Sequence, residues 1–427
     1  MKPFTFIDLC AGIGGFHLGL ARLGGRCVLA ADIDASARAT YARAFPSTPL
    51  TSDVWDLAAD PLRLVPQHDL LAAGLPCQPF SKQGRERSIA DQRGHLFFAV
   101  LAIVCARRPK YVVLENVRNL ASRRHRGTWD LMVRSLRACG YRTSDDPVIL
   151  SPHLLPPELG GTPQRRERVF LLAEYVADNA KSEELRTPPA ISPGPVAGWQ
   201  PDRWRAESIL QPDHEISNIE RYQLSPHVVV MVEAWNQLVR ALPQGAVPTA
   251  YPLWADYLTS QPIDRTTIPQ WRWPAIARNA DFYRQHRGVI DRWLATSGIR
   301  TIPPSRRQLE WHAGNAHDLW SSLLRFRVTG LVTRPPTWFP TLLTNSQEPI
   351  IGWRQRRITP REAARLQGFP DDIPLPASDR AAYRQFGNAV HPAVVKHAAA
   401  SLVGRARRAN WSRAAGSIDL GDGRAVA

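Results

Sequence analysis

Cys77 is the residue whose type and setting first raise a chemical question. It lies in GLPCQPFSKQG, Gly74 to Gly84, beside Pro76 and ahead of Pro79. A buried cysteine behaves as a small hydrophobe, but prolines and flanking glycines make this a poor place to bury a side chain. Zinc chemistry of the deaminase kind needs P-C-x-x-C; here Phe80 stands where the second cysteine belongs, and no C-x-x-C occurs anywhere. That leaves a nucleophile or an inert thiol. An unassisted thiol with a pKa near ~8.5 is mostly protonated at neutral pH. Lys82, Arg85 and Arg87 follow on the same stretch and favour thiolate.

Two other groups offer polar chemistry. In YVVLENV, Glu115 and Asn116 close a buried apolar run. A carboxyl there can hydrogen-bond a base edge, act as a general acid, or simply end a strand. In TPQRRERVFLL, alternation puts Gln164, Arg166 and Arg168 on one face of a strand and Arg165 and Glu167 on the other. Two guanidiniums on one face suit an anionic or strongly polarised substrate; a solvated edge strand would carry the same pattern.

A ligand loop is the third feature. DLCAGIGG, Asp8 to Gly15, has the form of a strand running through Gly12 and Gly14 into a helix. Glycines let the backbone approach a ligand. Asp32 follows at an offset that suits hydrogen bonds to ribose hydroxyls. The spacing is not the full G-x-G-x-x-G, which favours a mononucleoside ligand over a dinucleotide. Asp53, at the end of a third short strand, is placed to take an adenine amino group or to be a solvated loop residue.

These residues need a scaffold, and the first part of the chain supplies one. FTFIDLCAG, RCVLAADID, PLTSDVWDL, HDLLAAGLP and PKYVVLENV contain strands; GGFHLGLARLGG, ASARATYARAF, HLFFAVLAIVCARR and TWDLMVRSLRACG read as helices. The βαβ alternation predicts an α/β fold with a doubly wound parallel sheet. Ligands bind such sheets at the carboxyl ends of the strands, where Cys77, Glu115 and the glycine loop all fall. Cys10, Cys27, Cys105 and Cys139 sit in apolar patterns and are expected to be packing residues.

The character changes after about Tyr175. TPPAISPGPVAGWQP is a proline-rich linker, and an irregular, tryptophan-rich region follows to about Pro349. Its tryptophans are expected to be core. TPREAARLQGF then starts a capped helix at Thr359-Pro360, and HPAVVKHAAASLVGRARR makes the last helix. The expected division is 1–175, 176–349 as a second, smaller domain, 350–404 returning to the first, and 405–427 as a disordered tail.

A length of 427 residues suits two domains. The net charge of +16, carried mostly by arginine, attracts polyanions, and nucleic acid is the natural partner. Five cysteines suit a reducing compartment. MKPFTFIDLC has no secretory-leader pattern, and no apolar run reaches the ~18 residues of a membrane span.

In order, FIDLCAGIGGF, ADID, SDVWDL, GLPCQPFSKQG, ENV, QRRERVF, RRITPREAARLQGFP and QFGNAV resemble the motifs of bacterial-type DNA (cytosine-5)-methyltransferases. The resemblance covers Phe4 to about Tyr175 and Arg356 to about Val395. It implies a Rossmann-like methyltransferase domain, S-adenosylmethionine as cofactor and no metal. The implied catalytic residues are Cys77 as nucleophile on carbon 6, Glu115 on the N3 side of the cytosine, Arg166 on the O2 side, and Arg168. The implied cofactor pocket comprises Cys10, Gly12, Gly14, Asp32, Ile33, Asp53, Val54, Pro76, Leu96, Asn388 and Ala389. Cys10 stands where the family commonly has phenylalanine. The middle region is then a target-recognition domain, with Arg334 and Thr341, together with Lys82, Arg85 and Arg87, meeting a duplex from which the cytosine is flipped. The family pattern further implies a monomer in the bacterial cytoplasm, working beside a restriction endonuclease of the same specificity. An RNA cytosine methylase and a silent DNA-binding regulator are the alternatives; methyl incorporation into duplex DNA and tRNA, and the effect of Cys77→Ser, separate them.

Overall fold

The computed structural model describes residues 3–76, 96–178, 180–264, 266, 268–344 and 347–415, with 404–415 as backbone alone. The first part alternates as expected: β1 (Phe4–Leu9), α1 (Gly15–Ala21), β2 (Gly25–Ala31), α2 (Ala35–Ala44), β3 (Leu50–Thr51), α3 (Val54–Ala59), α4 (Pro61–Leu64), β4 (Leu70–Gly74), α5 (Leu96–Arg107), β5 (Tyr111–Val117), α6 (Arg126–Ala138), β6 (Tyr141–Thr143), β7 (Val148–Leu150), β8 (Gln164–Arg165) and β9 (Arg168–Tyr175). The main sheet has the order β3-β2-β1-β4-β5-β9-β6, with β7 also paired to β9. β1 to β5 run parallel, and β9 is antiparallel to β5, β6 and β7.

Both faces of this sheet are covered, which explains why its strands are apolar almost throughout. Ile7, Leu9, Leu71, Ala73, Val112 and Leu114 pack against α3, α5 and α6. Their alternate neighbours Phe6, Leu70, Ala72 and Val113 pack on the other side with Phe16 and Leu20 of α1. β1 has β2 on one side and β4 on the other. The strand order therefore reverses there, opening a crevice at the carboxyl ends of β1 and β4.

The later elements are α7 (Pro226–Ala241), β10 (Leu253–Trp254), α8 (Trp273–Gln285), α9 (Arg287–Thr296), β11 (Gln308–Glu310), β12 (Leu323–Arg327), β13 (Gly330–Arg334), β14 (Phe339–Pro340), β15 (Ile350–Ile351), β16 (Arg356–Arg357), α10 (Pro360–Leu366), α11 (Asp379–Asn388) and α12 (Pro392–Ala415). A second sheet, β10-β11-β13-β12-β15-β16, has its own core. Trp235, Trp293 and Trp311 are buried in it, as expected of core tryptophans, whereas Trp271 is 72% exposed. α12 returns to the first sheet and packs along α1.

Three expectations need correction. First, residues 350–357 belong to the second sheet, because Ile350 and Ile351 pair with Leu324 and Leu323 of β12 and with β16. The return begins after Arg357, at the capping box of Thr359 and Glu362 that opens α10. Second, α12 runs on to Ala415, through part of the expected tail. Third, Cys105 and Cys139 are joined as a disulfide between α5 and the end of α6, with Cα atoms 5.5 Å apart. Their apolar surroundings gave no sign of that pairing. The proline-rich stretch also packs: Ala190, Ile191 and Val196 lie against the main core.

Candidate active site

The glycine loop leaves β1 at Leu9. Cys10 (φ 56°), Gly12 (φ 56°) and Gly14 (φ 88°) all take left-handed backbone. Gly14 has a second constraint, since a Cβ would sit 2.2 Å from Cε2 of Phe45. Gly12 has no neighbour within 4 Å of that position, so the loop faces open space there. Asp32 fastens the loop to β2: its Oδ2 accepts the Gly12 N–H at 2.7 Å, and its Oδ1 accepts the Asp34 N–H at 2.8 Å. Each carboxylate oxygen keeps lone-pair capacity for a further donor. Ile33, the next residue, is 78% exposed. Asp53 caps α3 by accepting the Trp55 N–H at 2.9 Å, and Val54 is buried behind it. Burial pushes the Cys10 thiol far above its ordinary range, and the charges of Asp32, Asp8 and Asp53 push the same way. The loop, Asp32 and Asp53 thus share one electrostatic neighbourhood, with Cys10 a neutral thiol inside it.

Asn388 is exposed at the end of α11, and Ala389 is buried. The segment sits on the loop: a Cβ on Gly15 would meet the Val390 carbonyl oxygen at 2.2 Å. Pro76 and Leu96 are half-buried and bracket a stretch outside the described residues. Cys77, Lys82, Arg85 and Arg87 fall in that stretch.

Next to β4 stands an acid–base pair. The Leu75 N–H donates to the Glu115 carbonyl at 3.1 Å, and Asn116 Nδ2 reaches the Leu75 carbonyl at 3.5 Å. The chain that leads into Pro76 is therefore pinned to the end of β5. Val117 pairs with Arg168 across the β5–β9 ladder, and Glu115 pairs with Phe170. Glu115 and Arg168 are diagonal neighbours on one face, and Arg168 Nε lies 3.0 Å from Glu115 Oε1. Burial raises the Glu115 pKa; Arg168, then Arg166, oppose the shift without cancelling it. Gly74 lies between the two features: a Cβ there would be at ordinary contact distance, 3.9 Å from Glu115 Oε2 and 3.6 Å from the Cys10 carbonyl oxygen.

Arg166 does something other than expected. It is buried, and its Nη atoms donate to the carbonyls of Leu342 at 3.2 Å, Gly387 at 2.8 Å and Ala389 at 2.9 Å. Alternation along one strand led to the expectation that Arg166 and Arg168 share a face. β8 and β9 are separate strands, however, and the Arg166 N–H donates to Ser151 Oγ at the break. The guanidinium paired with Glu115 is Arg168, whereas that of Arg166 is turned to backbone carbonyls.

Gln164, Thr341 and Arg325 tie the segment around Arg166 to its neighbours. Gln164, fully buried, donates from Nε2 to the Leu366 carbonyl at 2.9 Å and to Gln367 Oε1 at 3.1 Å. Thr341 Oγ1 donates to the Arg165 carbonyl at 2.8 Å, and Arg325 Nη2 donates to the Thr341 carbonyl at 3.1 Å. Gln164 shared the expected face; nothing in the sequence marked Arg325. Arg334 is half-buried at the end of β13.

A family model for C-5 cytosine-specific DNA methylases matches residues 4–404. The chain belongs to that family. It is 34% identical to the type II methyltransferase M.AluI of Cellulosimicrobium cellulans over 474 aligned positions, covering 92% of this chain and 91% of that one. It is 26% identical to the type II methyltransferase M.HhaI of Haemophilus parahaemolyticus, covering 94% and 95%. Among solved structures, the Entamoeba histolytica methyltransferase EhMeth has the same fold, with a TM-score of 0.52 at 14% identity, covering 95% and 99%. This cytosine-5 DNA methylase uses S-adenosylmethionine as methyl donor.

The glycine-loop crevice fits that donor. Gly12 opens onto free space, Asp32 offers carboxylate lone pairs at the end of β2, and Ile33 beside it presents an exposed apolar side chain.

Proposed function

We propose that Cys77, Glu115 and Arg168 carry the methylation, with Gly12, Asp32, Ile33 and Asp53 holding the donor. Cytosine carbon 5 is a poor nucleophile. Addition of the Cys77 thiolate to carbon 6 turns the ring into an enamine whose carbon 5 carries the nucleophilic electron pair. Negative charge grows on the N3–C2–O2 side as the sulfur adds. Glu115, its pKa raised by burial, donates a proton or hydrogen bond at N3, and Arg168 stabilises O2. S-adenosylmethionine supplies the electrophilic methyl group. A base then takes the carbon-5 proton, and the C–H electron pair restores the 5,6 double bond as the carbon 6–sulfur bond breaks and Cys77 leaves as thiolate. A cytosine stacked in a duplex cannot reach buried groups, so the base leaves the helix first, at a cost of a few kcal/mol.

The observation that carries this reading is the pair of buried Glu115 and half-buried Arg168 beside Gly74, at the end of the strand next to the one that leads to Pro76-Cys77. The second domain, through about Arg357, serves target recognition. By likeness to relatives named type II methyltransferases, the enzyme marks the DNA of its own bacterial cytoplasm against an endonuclease of the same specificity, and it works as a monomer.

The test is methyl transfer from labelled S-adenosylmethionine to duplex DNA and to tRNA, followed by nucleoside analysis. The proposal expects 5-methylcytosine in duplex DNA from the wild type and none from Cys77→Ser. Undiminished methylation by Cys77→Ser would overturn it. Methylation-sensitive sequencing of DNA from expressing cells reads out the recognition sequence.

A further inference from the structure

The face of β12–β13 turned away from the second core carries an unusual concentration of positive charge. Leu324, Leu331 and Leu309 point into that core. Arg325 pairs across the ladder with Val332, Arg327 with Gly330 and Leu323 with Arg334, so Arg325, Arg327 and Arg334 share the opposite face. Glu310, beside Val332 on β11, lies on the same face.

The arginines are not equivalent. Arg327 Nη1 is 3.2 Å from Glu310 Oε2 and is thus paired. Arg325 is buried and held by the Thr341 carbonyl at 3.1 Å, and its buried Nε has no hydrogen-bond partner among the described residues. The Arg334 guanidinium has neither an ion pair nor a hydrogen bond among the described residues. Burial lowers its pKa first, then the charge of Arg327; Glu310 opposes the shift and Arg165 adds to it. Burial likewise pushes Arg325 down to about 10, helped by Arg327 and Arg334. Burial and two neighbouring guanidiniums outweigh the one carboxylate, Glu310, so the charged form of this half-buried guanidinium is disfavoured in the free protein, a cost relieved when an electron-rich group arrives.

We infer that Arg334 is a specificity-determining residue that reads a guanine edge in the major groove, with Arg325 and Arg327 as its positioning neighbours. This rests on the reading of the chain as a duplex-DNA methylase. A phosphate asks only for charge and is met by flexible, exposed cations. Guanine O6 and N7 ask for a planar fork in a fixed orientation. Arg334 has that setting: its stem is half-buried on a strand, and its neighbours Arg325 and Arg327 are already engaged. Its neighbour Arg165 lies on the strand that pairs with Phe339 and Pro340 and leads on to Arg168. Reading and chemistry thereby share one support.

The test is methylation of a duplex pool randomised around the target cytosine, for wild type, Arg334→Ala and Arg334→Lys, with melting curves to verify folding. Wild type is expected to require guanine at one position. Arg334→Ala is expected to lose roughly 10- to 100-fold on duplexes with that guanine and little on the others, flattening the profile at that position alone. Arg334→Lys, which keeps the charge but not the fork, is expected to stay flattened. A uniform loss across all sequences, with a salt slope reduced by about one and rescued by lysine, would identify a phosphate contact and overturn the inference. A folded Arg334→Ala enzyme with an unchanged profile would overturn it too, while leaving DNA methylation standing. No methylation of any duplex by wild type would sink the parent reading and this inference with it.

Discussion

Arg168 places its Nε 3.0 Å from Oε1 of Glu115, and the two side chains are 15% and 11% exposed. A carboxyl in that position is pulled in two directions. Burial favours its protonated form, and the guanidinium favours its charged form; burial wins. The outcome is an acid that keeps a proton more readily than an ordinary glutamate, with a cation held beside it.

Glu115→Gln removes the transferable proton and keeps the shape. Single-turnover methylation is expected to slow by about 10²–10⁴-fold, with DNA affinity by fluorescence anisotropy little changed. A rate within a few-fold of wild type would show that Glu115 is not the acid.

Arg166 and Arg168 are expected to separate cleanly. Arg166→Met strips charge-assisted hydrogen bonds from three backbone carbonyls of two chain segments. It is expected to lower unfolding free energy by about 3 kcal/mol or more in urea titrations. Arg168→Met is expected to leave stability nearer wild type and to abolish most activity. Equal melting behaviour in the two variants would contradict the division of roles.

The two loop glycines are expected to fail differently. Gly12→Ala meets no atom and costs roughly 1–2 kcal/mol of backbone strain, but its methyl enters the open crevice, so equilibrium dialysis should show S-adenosylmethionine binding weakened roughly tenfold or more. Gly14→Ala runs into the Phe45 ring and is expected to unfold at markedly lower denaturant. Unchanged donor affinity in Gly12→Ala would remove the loop from the donor site.

His391 makes stability pH-dependent. It is buried, bonded at Nε2 to Thr162 Oγ1 and packed against Gly368; burial first, then the charges of Arg166 and Arg22, lower its pKa to about 3. Below pH ~6.5 the unfolded chain takes up a proton that the folded chain refuses. Stability is therefore expected to fall as pH drops from about 6.5 towards 3, by up to about 1.4 kcal/mol per pH unit from this group. Asp8, raised by burial, acts in the opposite sense, so the comparison is between wild type and His391→Asn. The variant is expected to lose part of the slope; an identical slope would show that His391 does not contribute.

The local features could be read in the sequence because local pattern determines them. A strand running into glycines and then a helix, an acid at the end of the next strand, and a glutamate closing an apolar run are all set within a few residues. Depth is not: alternation along one strand predicts a shared face for Arg166 and Arg168, and only the break between β8 and β9 sends one to backbone carbonyls and the other to Glu115. Partners distant in sequence were equally hidden. Cys105 and Cys139 are 34 positions apart, and Ile350 and Ile351 find β12 only through the second sheet. Arg325 resembles any other arginine until Thr341 folds over it. The expectations for Cys77, Lys82, Arg85 and Arg87 lie outside the described residues.

Covalent attachment of Cys77 to the target cytosine is the step on which the proposed chemistry turns. A duplex carrying 5-fluorocytosine at the methylated position has no carbon-5 proton to lose, so elimination is blocked and the adduct accumulates. With S-adenosylmethionine present, the account predicts a protein–DNA complex that survives denaturing electrophoresis, maps to the Cys77 peptide and is absent in Cys77→Ser. Full methylation of the ordinary duplex with no such complex, or a complex that maps to another residue, would contradict it.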